Sequence, residues 1–279
     1  MTRLWLTAAF AAAALMTAPA CAQSVKPAGL SADPFSALVG RRAPAERREN
    51  QHEAVERYVV AAEDRVFLFQ PGEREGRLKF LCGDKDATID CLIDAETPAE
   101  EIYILTPLRG SRGDTIWRNA RGQTMLRQSS YGGATIFQRG DLEGLAAAKS
   151  YGEDPPLALP PVTLARARFR ARQATAIISA RIGAPIVFDV EQTEADPAVD
   201  ARVLGDAIAR VAKGIDRVGS DATGAKVIAS RIGRVVFRKG EKPALSFNGD
   251  VLDVNYNPVG DVEGRPSSAT VARFLEESL

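Results

Sequence analysis

RLKFLCGDKDATIDCLIDAE, residues 77–96, sets Cys82 and Cys91 on either side of an acidic turn. In an antiparallel ladder the numbers of paired residues sum to a constant. If Cys82 faces Cys91, Phe80 then opposes Ile93 and Leu78 opposes Ala95 on the cysteine face. On the other face Leu81 meets Leu92, Lys79 meets Asp94 and Arg77 meets Glu96, so apolar and opposite-charge neighbours fall where cross-strand pairs interact. A slip of one residue scrambles both faces. The spacing therefore predicts a hairpin stapled by a Cys82–Cys91 disulfide inside an antiparallel β unit. This pattern is scaffold and carries no chemistry of its own.

Working outward, short runs rich in Val, Ile, Phe and Leu alternate with turn residues, the texture of an all-β unit. Strands are predicted near 58–62, 65–70, 77–82, 88–94, 101–106, 114–118, 123–128 and 134–138. Pro71-Gly72 and Asn119-Ala120-Arg121-Gly122 supply breaks and tight connections. Such short links favour sequential antiparallel pairing, hence a β-rich domain over 57–140, built as a sandwich or a partly open barrel. The prolines of Asp154–Pro161 mark 141–161 as an extended spacer.

Beyond the spacer the period switches to that of helices. A helix over 162–182 is predicted with Val162, Ala165, Phe169, Ala176, Ile177 and Ala180 on one face, stopped by Gly183 and Pro185. A strand at 186–190 follows. Asp196-Pro197 opens a second helix reaching the neighbourhood of Val218, with Val199, Val203, Ile208, Val211 and Ile215 as core residues, and a short helix is read near Ala225–Arg231. Strands at 234–239, 244–248 and 250–256 come next, the last two joined at Asn248-Gly249 with Leu245 against Leu252. Pro266-Ser267-Ser268 starts a terminal helix with Val271, Phe274 and Leu275 inward. The expected fold class is α+β: the β-rich domain, then an α+β domain over 162–279 with a small antiparallel sheet.

Residues 1–22 read as a signal peptide, with Arg3 as the positive start, Leu4–Met16 as the apolar run and cleavage after Ala22. The run is too short for a transmembrane span. Cys21 offers lipidation as a rival outcome. Ala18 and Pro19 depart from the usual residues of a lipoprotein box, and losing Cys21 leaves an even pair of cysteines, so soluble export to the periplasm or the medium is favoured. Residues 23–56 read as a linker with a short surface helix from Pro44. Thirty-six basic and 36 acidic side chains leave no charge excess to draw nucleic acid or a membrane surface.

The segments RYVVAAEDRVFLFQ (57–70) and RGDTIWRNARGQTMLRQSSYGGATIF (112–137), with the closing Gly264-Arg265-Pro266-Ser267-Ser268, resemble an uncharacterised exported-protein family of Gram-negative bacteria, a domain of unknown function. The resemblance implies an envelope location and no catalytic residue. The cysteine pair lies outside the pattern of that family and reads as a local elaboration.

Motifs for chemistry are sparse. His52, the sole histidine, sits in a polar stretch with no second histidine for HExxH, and reads as a solvated residue. No GxSxG or SxxK serves a nucleophile. The turn Asp84–Asp90 alternates oxygen ligands, yet Ile89 and Ala95 stand where a calcium loop needs Gly and Glu. Gly110–Gly113 and Tyr131–Gly133 read as turns. Arg166, Arg168, Arg170 and Arg172 spread around a helix as a solvated face, with an anionic surface component as their functional alternative. No catalytic, cofactor or metal residue is therefore expected, and the disulfide residues Cys82 and Cys91 are the only assigned pair. The functional expectation is a non-catalytic envelope binding module whose partner is an envelope protein or an anionic cell-surface component. A hydrolase using Asp or Glu is the alternative, and a pocket gathering convergent carboxylates would favour it.

Overall fold

The computed structural model describes residues 54–63, 65–83, 86–137, 143–191 and 200–279, and residues 49–279 form one compact unit. The leader, Cys21, His52, the turn residues Asp84 and Lys85, and the Asp196–Val199 helix start lie outside the described residues.

The strands are β1 (Glu56–Val60), β2 (Arg65–Gln70), β3 (Gly76–Phe80), β4 (Ile102–Arg109), β5 (Thr115–Arg118), β6 (Thr124–Gln128), β7 (Ala134–Ile136) and β8 (Leu145–Ser150), and they close into a barrel. Every neighbour is antiparallel, and β8 returns to β1 with Arg57 opposite Ser150. The barrel is thus fully closed where a sandwich or a partly open barrel was expected. Closure leaves no unpaired edge. Alternate residues point inward, and Tyr58, Phe67, Phe69, Leu78, Trp117 and Leu126 fill the interior. Tyr58 stacks on Phe67 at 5.0 Å between ring centroids, and Phe69 meets Trp117 edge-on at 4.9 Å.

The opening stretch folds differently from its alternation pattern. Cys82 and Cys91 are joined, but no hairpin forms: β4 takes the edge of β3, so Leu78 opposes Tyr103 and Lys79 opposes Ile102. Residues Ile89–Leu92 form a single helical turn, α1. The reason is a four-residue repeat hidden in the same letters. Ile89 and Ile93 fall on one face and enter the core, while Asp90 and Asp94, also four apart, turn toward buried cations. One turn has little stability of its own, so the disulfide holds it. Cys82→Ala should destabilise the oxidised protein by about 2.5 kcal/mol on the loop-entropy argument. The check is a lower Tm in oxidising buffer and no further drop on adding dithiothreitol.

After β8 the chain runs extended through the prolines, docked by Gln70, whose side chain accepts from the Leu157 amide at 2.9 Å, and by Asp261, which accepts from the Leu159 amide at 3.0 Å. Then come α2 (Leu164–Ile182), β9 (Val187–Val190), α3 (Arg202–Val218), α4 (Ala222–Arg231), β10 (Arg234–Lys239), β11 (Ala244–Asn248), β12 (Val251–Tyr256) and α5 (Ser268–Ser278). The sheet order is β11-β12-β10-β9. This sheet is mixed, a correction to the expected antiparallel one: β10 runs parallel to both β9 and β12, and only β11 is antiparallel. Its parallel pairs need crossovers, and α3 with α4 supplies the one from β9 to β10. At the Asn248-Gly249 turn Phe247, not Leu245, opposes Leu252, while Leu245 opposes Val254.

The buried stripe of α2 is Leu164, Ala167, Arg170, Ala171, Ala174, Ile178 and Ile182, displaced from the face expected, and Gly183 in the left-handed region ends it. Val203, Ile208, Val211 and Ile215 of α3 are buried as expected, and so is nearly everything between them. A helix buried on all sides is the centre of a core. A Cβ at Gly214 would lie 2.5 Å from Val271 Cγ1, so α3 and α5 meet in close contact through that glycine. Leu68 and Ile102, on the outside of the barrel, share the core of the helices.

Candidate functional site

A cleft of about 1030 Å³ opens between the barrel mouth, α1 and the face of α3. Phe80, Tyr103, Met125 and Phe137 line its barrel side, the Cys82–Cys91 disulfide forms part of one wall, and Lys213 and Arg217 line the side of α3. Its floor is a network of buried charges. The Lys213 ammonium donates to Asp90 Oδ2 at 2.5 Å and to the Tyr103 hydroxyl at 2.9 Å, and lies 3.2 Å from Glu101 Oε2. Glu101 accepts from the Ser268 amide at 3.0 Å and from its hydroxyl at 2.6 Å. It thereby places a carboxylate at the start of α5, where the helix dipole favours one.

Behind Lys213 lies Arg210, fully buried, 3.1 Å from Asp90, 3.2 Å from Glu101 and 3.3 Å from Asp206, with Nη2, the nitrogen nearest Asp90, donating to the Ala99 carbonyl. Arg265 donates to Asp206 at 2.5 Å and to the Ile102 carbonyl at 3.0 Å. Next to it Asp94 accepts from Arg170 at 3.0 Å and from Arg166, which also reaches Glu96 at 2.7 Å. Arg166 and Arg170 therefore belong to this network and not to a solvated face, a correction that follows from Asp94 lying on the helical repeat of α1.

Burial works to raise the Glu101 carboxyl, but Lys213, Arg210 and Arg265 together hold it well below the usual carboxylate range. Asp94 is lowered in the same way, burial being outweighed by its hydrogen bonds from Arg166 and Arg170. For Lys213, burial is outweighed by the Tyr103 phenol and by Asp90 and Glu101, and the ammonium is stabilised. Burial first, and the Glu101 charge second, push the Tyr103 phenol up to about 12. Glu101 and Lys213 are thus fixed in their charged forms. Lys213 cannot serve Ser268 as a neutral base, and Glu101 is the reverse of a general acid kept protonated near neutrality.

The other residues singled out in the sequence are apart from the cleft floor. Asp86, at its lip, closes a local turn by accepting from the Thr88 amide at 3.0 Å. Gly110–Gly113 and Tyr131–Gly133 form turns between strands. Among the described residues no group of three or more His, Cys, Asp or Glu is placed to hold a metal ion, and no helix is long and apolar enough to cross a membrane. Sequence reasoning missed Glu101, Asp206, Arg210 and Lys213, and met Asp90 only as the end of an acidic turn and Arg265 only within the closing family-like stretch. One signal was there to be used: Asp206 and Arg210, four apart, interrupt the otherwise apolar run Val203–Ala212 of α3.

A family model for a domain of unknown function, DUF4908, matches residues 34–275. The chain belongs to this family. No curated protein and no solved structure matches it. The DUF4908 match spans the barrel, the cleft floor and most of α5, so the charge network lies wholly within the family domain.

The titrations fix how stability of the DUF4908 fold should depend on pH. Asp94 and Glu101 have folded-state values below those of the unfolded chain, so their contribution is complete above about pH 4.5. It is lost as pH falls further, because the unfolded chain then takes up protons that the folded one refuses. Lys213 and Tyr103 are raised, and Tyr58, in the barrel, is also raised to about 12, by burial first. Their contribution is present below the unfolded values of about 10 and is lost as pH rises beyond them. Urea unfolding should therefore give a plateau between about pH 5 and 9.5, falling on both sides; a maximum confined to acid pH would refute this assignment.

Proposed function

We propose that this DUF4908 chain is an exported, non-catalytic binding module of a bacterial envelope, and that its ligand occupies the cleft between the barrel and α3. The observation that carries this reading is the state of the cleft floor: each charge is paired, and Glu101 and Lys213 are locked in the ionised form, beneath walls that are mainly apolar. Charges paired in this way suit shape recognition and leave no poised proton donor. The leader pattern of residues 1–22, the even cysteine pair and the disulfide support export to the periplasm or the medium. The division at the proline-rich run into a barrel domain and an α+β domain is part of the same reading.

Native mass spectrometry of the protein recovered from the periplasm of an expressing Gram-negative host tests it. A chain starting at Gln23, carrying a small molecule that Ala87→Trp excludes by filling the cleft lip, is the expected result. A diacylated Cys21 would overturn soluble export. The alternative reading, hydrolysis by an Asp or Glu pair, draws on Asp90 and Glu101 both lying beside Lys213. It requires turnover of ester, amide or glycoside probes that disappears in Asp90→Asn, and no such turnover is expected.

A further inference from the structure

We infer that this protein pairs with a second copy of itself along β11, an open edge of the mixed sheet. In the order β11-β12-β10-β9 the strand β11 has one neighbour, β12. The two-residue turn Gly249-Asp250 makes Asn248–Val251, Ser246–Asp253 and Ala244–Asn255 the hydrogen-bonded pairs of the hairpin. The N–H and C=O groups of Leu245 and Phe247 therefore point away from β12, and among the described residues no backbone partner takes them. Natural edges are commonly blunted by a charge or a proline. β9, at the other edge, carries Asp189 and is followed at once by Glu191. β11 reads ALSFN, with neither a charge nor a proline.

The strand is also complementary to itself. Laid antiparallel on a copy about a two-fold axis at Ser246, Leu245 meets the partner's Phe247, and Ala244 meets the partner's Asn248. The outward backbone groups of Leu245 and Phe247 then bond one another, in the phase an antiparallel ladder requires. Lys242, just before the strand, comes to the partner's Asp250, in the turn after it, and the two-fold repeats the pair. Both side chains are exposed, and among the described residues neither has an ion-pair partner. On the side facing the helices, Leu245, Phe247, Phe274 and Leu279 are only half-buried, and Phe247 stacks on Phe274 at 5.4 Å between ring centroids. They form an apolar strip beside the edge, and a second copy continues it across the axis. An edge this short falls below the ~1,200–2,000 Å² of stable interfaces, so the assembly is a reversible dimer. No residue of β11 lines the cleft, so this inference and the binding-module reading fail separately.

Analytical ultracentrifugation of the oxidised protein recovered from the expressing host tests it. A monomer–dimer equilibrium is expected between about 1 μM and 1 mM. Ser246→Lys sets two ammonium groups opposite each other at the axis and should weaken the dimer about fivefold or more. The dilute monomer should keep its Tm, because Ser246 is exposed. Lys242→Asp and Asp250→Lys should each weaken the dimer about threefold or more, and the two changes together should restore the parent's affinity. Should Ser246→Lys fail to fold, the charge swap decides. A monomer at every concentration, a dimer that folded Ser246→Lys leaves intact, charge reversals without effect, or a double swap as weak as the singles overturns the inference. Growth into open filaments, the result of β11 pairing with β9, overturns it as well.

Discussion

Glu101→Gln should lower the free energy of unfolding by about 3–5 kcal/mol, the range for removing one partner from a buried ion pair. The carboxylate is fully buried and joins two helices: α3, through Lys213 and Arg210, and α5, through Ser268 at its start. Glutamine keeps the shape and one acceptor for Ser268, yet leaves the buried Arg210 and the partly buried Lys213 facing Asp90 and Asp206 alone. The expected signature is a lower urea midpoint at unchanged m-value. The acid limb of the stability profile should also flatten, because Glu101 no longer titrates. A loss under about 1 kcal/mol would mean that the carboxylate is more hydrated than its surroundings imply.

Arg210→Met should be of similar size, about 3–5 kcal/mol, for the mirror-image reason. It strips Asp90, Glu101 and Asp206 of a shared cation and leaves them Lys213 and Arg265. The informative measurement is the double variant. With Glu101→Gln and Arg210→Met together, Lys213 still balances Asp90 and Arg265 still balances Asp206, so the core is again neutral. The double should lose less than the sum of the singles, with a coupling of about 1–3 kcal/mol. Strict additivity would mean that the two groups do not act as one network.

Most of the barrel was legible because its inward residues alternate: the strands carrying Phe69, Leu126 and Ile136 read directly from period two. β8 was not, since half of Leu145–Ser150 is alanine, a weak strand former; it is a strand because β1 and β7 both need a partner. The stretch 88–94 carried two periods at once, and tertiary packing chose the helical one. The stapled pair Cys82 and Cys91 was legible from spacing, while the hairpin around it was overridden by β4. The charge network was illegible for a different reason. Its members come from α1, β4, α2, α3 and the approach to α5, and a pairing such as Glu101 with Ser268, 167 residues apart, leaves no local trace.

The pairing of β1 with β8 also governs when this protein can fold. The first strand of the barrel has no second neighbour until Ser150 has emerged, and Glu101 has no helix to cap until Ser268 follows. Contacts of such long range form late and slowly. A fragment ending before Ser268 would leave Glu101 without its two hydrogen bonds from Ser268 and α3 without α5, and should be marked for proteolysis.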